Sequence, residues 1–178
     1  IGKVRYGVML REDGMVFDDG TTARIGEHHY VMTTTTANAI KVMSTLECLV
    51  QVEWRELEVY LTSVTEQWAA MALAGPDARR VLQAIAPEHD WHSAALPYMG
   101  YRATTIAGIP ARVFRISFSG ELSYEINVPA DCGRKMWERL LDAGKSFGIT
   151  PYGTEAMGVL RIEKGHVAVM ELDGRTTP

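Results

Sequence analysis

Two acidic segments and one charged helix end hold the side chains best placed to do chemistry in this chain. The first segment is Asp18-Asp19-Gly20. Asp and Gly favour turns for backbone reasons alone, so a plain turn accounts for it. The sharper reading is a carboxylate pair on a rigid hairpin, with one acid aimed at a ligand and the other securing the turn. The second segment is Phe118-Ser119-Gly120-Glu121-Leu122-Ser123-Tyr124-Glu125. Alternation puts Glu121, Ser123 and Glu125 on one face of a strand and Leu122 and Tyr124 on the other. One solvated and one buried face would explain that pattern, but Glu125 runs on into the apolar Ile126 and Val128. A buried carboxylate needs donors. A ring N–H beside an exocyclic amine, as on a pterin or guanine edge, offers both in a two-pronged contact. The third segment, Leu160-Arg161-Ile162-Glu163-Lys164-Gly165-His166, reads by itself as surface charge on a helix end, with Lys164 suited to the macrodipole.

Other chemistries find little support. Glu27-His28-His29 reads as a polar turn. His89-Asp90-Trp91-His92 has metal-like residue types without a recognised ligand spacing, in a Pro-flanked loop. No dinucleotide fingerprint, P-loop, nucleophile elbow or zincin motif appears. The net charge of −4 gives no electrostatic footprint for nucleic acid, so an anionic ligand needs a local positive patch. Two distant cysteines, Cys48 and Cys132, form no disulfide framework and fit a reducing, cytoplasmic setting. No apolar run approaches the ~20 residues of a membrane span.

Elements that could position these groups follow from periodicity. Residues 4–10 read as a strand, 12–14 as a turn, 15–17 as a short return closed by Asp18-Asp19-Gly20, and 30–35 as another strand. The period changes over 37–50, where Ile40, Met43 and Leu46 mark one helix face and Thr36 stands as N-cap. Residues 57–64 and 71–74 read as strands. A helix opens at Gly75-Pro76-Asp77 and runs to Ile85, with Leu82 and Ile85 as its apolar stripe. Paired strands over 101–106 and 111–118 precede a strand over 122–128. A helix over 131–143 then uses Met136, Trp137, Leu140 and Leu141 as its core face. A last helix, 154–164, ends at Gly165. Strands joined by helices with antiparallel hairpins define an α+β class: antiparallel sheets with packed helices, in two loose β-β-α halves, 1–86 and 101–178.

Taken in order, the segments resemble the folate-binding domain of the aminomethyltransferase (glycine cleavage T-protein) family. The residues that carry the resemblance are Tyr6-Gly7-Val8-Met9-Leu10, Phe17-Asp18-Asp19, Gly75-Pro76, the 118–125 strand, Leu160-Arg161-Ile162-Glu163-Lys164-Gly165, and Glu171-Leu172 with Thr177-Pro178. Within the family, the wording of 4–14, 32–39, 63–69, 114–122 and 151–156 is similar to the branch found in alpha subunits of heterotetrameric sarcosine oxidases. That resemblance implies a cytoplasmic tetrahydrofolate-binding domain. In such enzymes sarcosine is oxidised at a flavin elsewhere, and flavin and NAD sites lie outside this region. The sarcosine-derived imine then reaches the folate, which captures its one-carbon unit as 5,10-methylenetetrahydrofolate. The implied partners are folate, the imine and the other sarcosine oxidase subunits, with no nucleic acid and no membrane.

By the same resemblance Asp19 matches the carboxylate near folate N10, which orients the folate and the incoming iminium. Glu125 matches the pterin-edge carboxylate, and Tyr6 an aromatic lining the pterin pocket. An iminium is already electrophilic, so the protein mainly has to hold the folate nitrogens beside it and stabilise the cation. The family's ligand-binding Arg, four residues before Arg161, is replaced by Met157, so a cation for the folate tail must come from Arg161 or from sequence beyond this chain. Phe118 replaces a Tyr, and Leu122-Ser123 replaces Asp-Gly. Beginning at Ile1 and ending at Pro178, the chain reads as a single folate-binding domain piece (1–178) without an upstream segment and a C-terminal barrel-like domain. Alone it is expected to bind folate weakly or not at all and to lack oxidase activity. Rival readings are an aminomethyltransferase or dimethylglycine dehydrogenase relative, and a structural or subunit-docking module of the same fold. The last predicts that Asp19 and Glu125 point to opposite surfaces.

Overall fold

The computed structural model describes residues 1–172 and Gly174. Thr177-Pro178 lie outside the described residues. Strand β1 (Lys3–Leu10) turns through Gly14, at φ 82°, and returns antiparallel as β2 (Val16–Arg24). The hairpin turn therefore lies at 11–14, closed by Gly14 N–H donating to Arg11 O (2.9 Å). Asp18-Asp19-Gly20 is not a turn. It sits within β2, because the strand's pairing with β1 continues through all three residues. Strand β3 (Tyr30–Met32) completes a three-stranded sheet, order β1-β2-β3, and is shorter than the six residues expected.

Gly20 is fixed by close approach. A Cβ there would lie 1.8 Å from the carbonyl oxygen of Thr33. The 33–35 segment crosses β2 at that point, with Thr33 N–H on Thr21 O (2.8 Å) and Thr21 N–H on the Thr33 hydroxyl (3.1 Å).

Helix α1 (Ala39–Cys48) follows a 3₁₀ turn at Thr36–Asn38, and neither Thr36 nor any other side chain caps it. Its expected apolar face is not the buried one. Ile40 is 82% exposed, Met43 and Leu46 are half-buried, and Val42 is the residue that goes inside. Residues 54–64 form no strand and are mostly exposed, although β-branched and aromatic residues are frequent there. Propensity without a neighbouring strand to pair with does not make a sheet.

The second sheet is built from β4 (Trp68–Ala74), β5 (Tyr101–Ile106), β6 (Ile109–Phe114) and β7 (Ser123–Pro129), in the order β4-β7-β6-β5 and antiparallel throughout. Strand β4 belongs by sequence to the first half and pairs with β7 of the second, so the two halves interlock. Alternation sends Tyr124, Ile126 and Val128 of β7 to one face. There they meet Val81 and Leu82 of α2 (Ala78–Ile85) and Met136 and Leu140 of α3 (Gly133–Gly144) in the main core. Trp137 of α3 stays 44% exposed. The loop before β5 is pinned by Trp91, fully buried, whose Nε1–H donates to Ala86 O (3.0 Å). Helix α4 (Thr154–Lys164) ends as expected at Gly165, in the left-handed region at φ 81°. No described helix is long and apolar enough to cross a membrane.

A smaller cluster joins the two sheets: Val4 and Ala23 of the first pack with Phe114 of the second and with Ile116 just beyond β6. The backbone reinforces it. Val4 N–H donates to Met99 O (2.8 Å), Tyr101 N–H to Gly2 O (2.9 Å) and Met99 N–H to Arg115 O (2.9 Å).

Gly20→Ala is expected to lower unfolding stability by about 1–3 kcal/mol, the usual range for overpacking. Its ladder partner offers a control, since a Cβ on Gly7 would meet nothing within 4 Å. Gly7→Ala should therefore change stability by less than about 1 kcal/mol. Urea unfolding of both variants makes the comparison.

Candidate functional site

The β1–β2 ladder sorts the acidic pair. Successive residues of a strand point to opposite faces, so Asp18 and Asp19 separate. Asp18 is buried and accepts the Thr35 backbone N–H on Oδ2 (3.1 Å). Its Oδ1 has no hydrogen-bond partner. Asp19 goes to the other face, where Oδ2 accepts the Tyr6 hydroxyl (2.7 Å). Tyr6 faces Thr21 across the ladder and Val8 faces Asp19, so the two bonded residues are diagonal neighbours on one face. Burial first, then the hydrogen bond to Asp19 and its negative charge, push the Tyr6 phenol up to about 12.

The Tyr6–Asp19 face is also the face of Val4 and Ala23, since the positions alternate by two along each strand. That face meets Phe114 of the second sheet. Phe114 pairs in register with Glu125, so Glu125 shares its face. Asp19 and Glu125 thus lie on the two sheet faces that meet at the Val4–Phe114 contact. No hydrogen bond or ion pair links them directly among the described residues.

Glu125 is partly buried and has neither a hydrogen-bond nor an ion-pair partner among the described residues. Burial pushes its carboxyl above the usual range. Two residues on and on the same face, Asn127 holds a buried side-chain oxygen that likewise has no partner. Two neighbouring acceptors without donors suit a ligand edge rich in N–H groups.

Sequence reasoning gave His166 no role. Its ring lies 5.7 Å from the Tyr6 ring and 5.0 Å from that of Phe118, the latter edge-on at 86°. Burial, then the Lys164 charge, lower its pKa; Asp19 opposes them and Arg161 adds to them. The only sequence signal was its place just after the Gly165 cap, which fixes where the chain leaves α4.

Arg161 is already engaged. It grips Glu171 with two nitrogens (2.7 Å each), and Nη1 also reaches His166 O (3.1 Å). That grip, with the Ala168 N–H, holds the Glu171 carboxyl down at about 2. Two other cations, Lys164 and Arg115, share one cleft. With Tyr98, Ser117, Glu121 and Leu122 they line an open cleft of about 330 Å³, and neither Asp19 nor Glu125 lines it. Lys164 Nζ donates to Ser117 O, next to Phe118.

His89 Nε2 lies 2.7 Å from the Thr104 hydroxyl, and no cluster of three metal-type side chains occurs among the described residues. Cys48 and Cys132 are free thiols.

The whole chain, residues 1–178, matches the GCVT N-terminal domain family. It is 52% identical over 180 residues to the sarcosine oxidase subunit alpha of Rhizobium meliloti (strain 1021), covering all of this chain and 18% of that protein. It thus spans about a fifth of that relative's length. Among solved structures, the glycine cleavage system aminomethyltransferase T from Bartonella henselae superposes with a TM-score of 0.73 at 26% identity, covering 94% of this chain and 42% of that one. The heterotetrameric sarcosine oxidase from Corynebacterium sp. U-96, in complex with pyrrole 2-carboxylate, shares the fold with a TM-score of 0.62 at 20% identity, covering 86% and 69%.

Because its pKa is raised on folding, Glu125 binds a proton more tightly in the folded chain than in the unfolded one, and stability falls as pH climbs above 4.5. Glu125→Gln carries no such penalty. Its urea midpoint at pH 7 is expected to exceed that of the parent, and the two should converge near pH 4.

Proposed function

The chain belongs to the GCVT N-terminal domain family, and from that premise we propose that it is the tetrahydrofolate-binding part of a sarcosine oxidase alpha subunit. On this reading it captures the one-carbon unit of the sarcosine-derived imine in sarcosine catabolism, in the cytoplasm and beside the other subunits of the enzyme. One observation carries the reading: a partly buried carboxylate, Glu125, with no donor among the described residues, on a sheet face that meets the face of Asp19. A scaffold has no use for such a group. A pterin edge supplies the missing donors, and Asn127 beside it adds an acceptor for a further N–H.

Tetrahydrofolate, when bound, would supply the two N–H nitrogens that take up the one-carbon unit as 5,10-methylenetetrahydrofolate, while the imine's C–N bond breaks and glycine leaves as the amine carrying the two displaced protons. The chain's residues do the rest. Glu125 fixes the pterin end. Asp19, held by Tyr6 through Oδ2, keeps Oδ1 available to a cationic imine and to the folate amine, and its charge stabilises that cation. Positioning of this kind is the main service an already electrophilic partner needs.

Calorimetric titration of folinic acid into the full-length protein tests the reading. Asp19→Ala and Glu125→Ala should each weaken binding by roughly 1.5–3 kcal/mol, the worth of a charge-assisted hydrogen bond, or about 10- to 150-fold. If the protein ignores folinic acid, or both variants bind it unchanged, the folate assignment fails.

A further inference from the structure

Between Tyr6 and the 115–122 loop sits one side chain to which the folate reading gives no role. We infer that His166 is a positioning residue of the site: packed between the rings of Tyr6 and Phe118, it holds the Tyr6 hydroxyl on Asp19, and its charge state sets the charge that Asp19 presents to a cationic one-carbon donor. The inference rests on the folate reading for its second half only.

The mount of His166 is rigid. Its N–H donates to Arg161 O (2.8 Å) and its carbonyl accepts Arg161 Nη1 (3.1 Å), while Arg161 is itself clamped by Glu171. The ring therefore projects from a fixed backbone just past the end of α4. It meets Tyr6 at 57° between planes and Phe118 nearly edge-on. Tyr6 is 48% exposed, so without this contact its ring would have one side open and the 2.7 Å bond to Asp19 less constrained.

The groups that face the imidazole set its charge state. Asp19 from β2 favours the imidazolium. Lys164 and Arg161 from α4, together with burial, disfavour it and prevail. Tyr6 from β1 and Phe118 from the 115–122 loop bring no charge at neutral pH, and Glu171 is occupied by Arg161. The neutral ring leaves the Asp19 charge uncompensated, as a cationic imine requires. Protonation would place a competing cation beside the carboxylate. Capture of the imine should therefore decline on the acid side, with an inflection below 6.5.

Two readouts on the full-length protein separate the halves of the inference. The first needs no folate: the alkaline titration of Tyr6, isolated by difference against the corresponding Tyr6→Phe protein. The parent should titrate at about 12. His166→Ala should bring the midpoint down toward 10, and His166→Phe, which keeps an aromatic ring, should hold it near the parental value. The second is the pH profile of folate-dependent capture of the imine. His166→Ala should lower capture at pH 7.5 roughly tenfold, the scale of one lost hydrogen bond. His166→Phe should retain capture and lose the acid decline. A Tyr6 midpoint still near 12 in a folded His166→Ala protein overturns the positioning role. An unchanged acid decline in His166→Phe overturns the charge role. If the Tyr6 midpoint moves as expected while the parent fails to bind folinic acid, the positioning role stands and the folate reading is what fails.

Discussion

The site depends on the period-two geometry of β2. A strand cannot place two consecutive carboxylates on the same face, so the Asp18-Asp19 pair must divide its labour. Asp18 turns to the side crossed by the 33–35 segment and takes the Thr35 N–H, while Asp19 turns toward the second sheet and takes the Tyr6 hydroxyl. The register that enforces this is held by Gly20, where the Thr33 carbonyl comes so close that no side chain fits. A slip of one residue would exchange the two acids, burying Asp19 and turning Asp18 toward the second sheet.

A second constraint sets the distance between the sheets. Val4 hangs from the 97–101 segment through the Met99 carbonyl, and Met99 in turn donates to Arg115. Met99 does this at φ 59°, a conformation costing roughly 1–2 kcal/mol for a residue with a Cβ. The two backbone bonds and the burial of Val4, Phe114 and Ile116 offset that cost. Phe118 emerges three residues beyond Arg115, so the same tie that seats β1 on the second sheet also brings Tyr6 and Phe118 to either side of His166. Structural core and candidate site share these contacts.

Much of this was legible in the residues. The β1 strand, the Gly14 turn, the α2 start after Gly75-Pro76-Asp77 and the α4 end at Gly165 are local signals, and each appears where it was read. Tyr6, Asp19 and Glu125 are singled out by ordered motifs through the family resemblance, whereas the division between Asp18 and Asp19 emerges only with the β1–β2 register. What was not legible depends on long-range partners. Asp-Asp-Gly looks like a turn until its pairing with β1 is known. The 57–64 run looks like a strand until no strand is found beside it. The α1 face around Ile40 looks buried although Val42 is the residue that goes fully inside. His166 had no motif of its own, because its neighbours Tyr6 and Phe118 are far away in sequence. The commitment of Arg161 to Glu171 was hidden because it depends on how the chain folds back after Gly165.

A crystal structure of the full-length protein with bound folinic acid tests most directly the reading that Glu125 and Asp19 hold one ligand. The expected complex has one ligand molecule spanning both sheet faces. Its ring N–H and exocyclic amine would lie within hydrogen-bond distance of the Glu125 carboxylate, and its N10 region would lie beside Asp19. A ligand that touches neither carboxylate, or that reaches one while the other faces a separate surface, would contradict that reading.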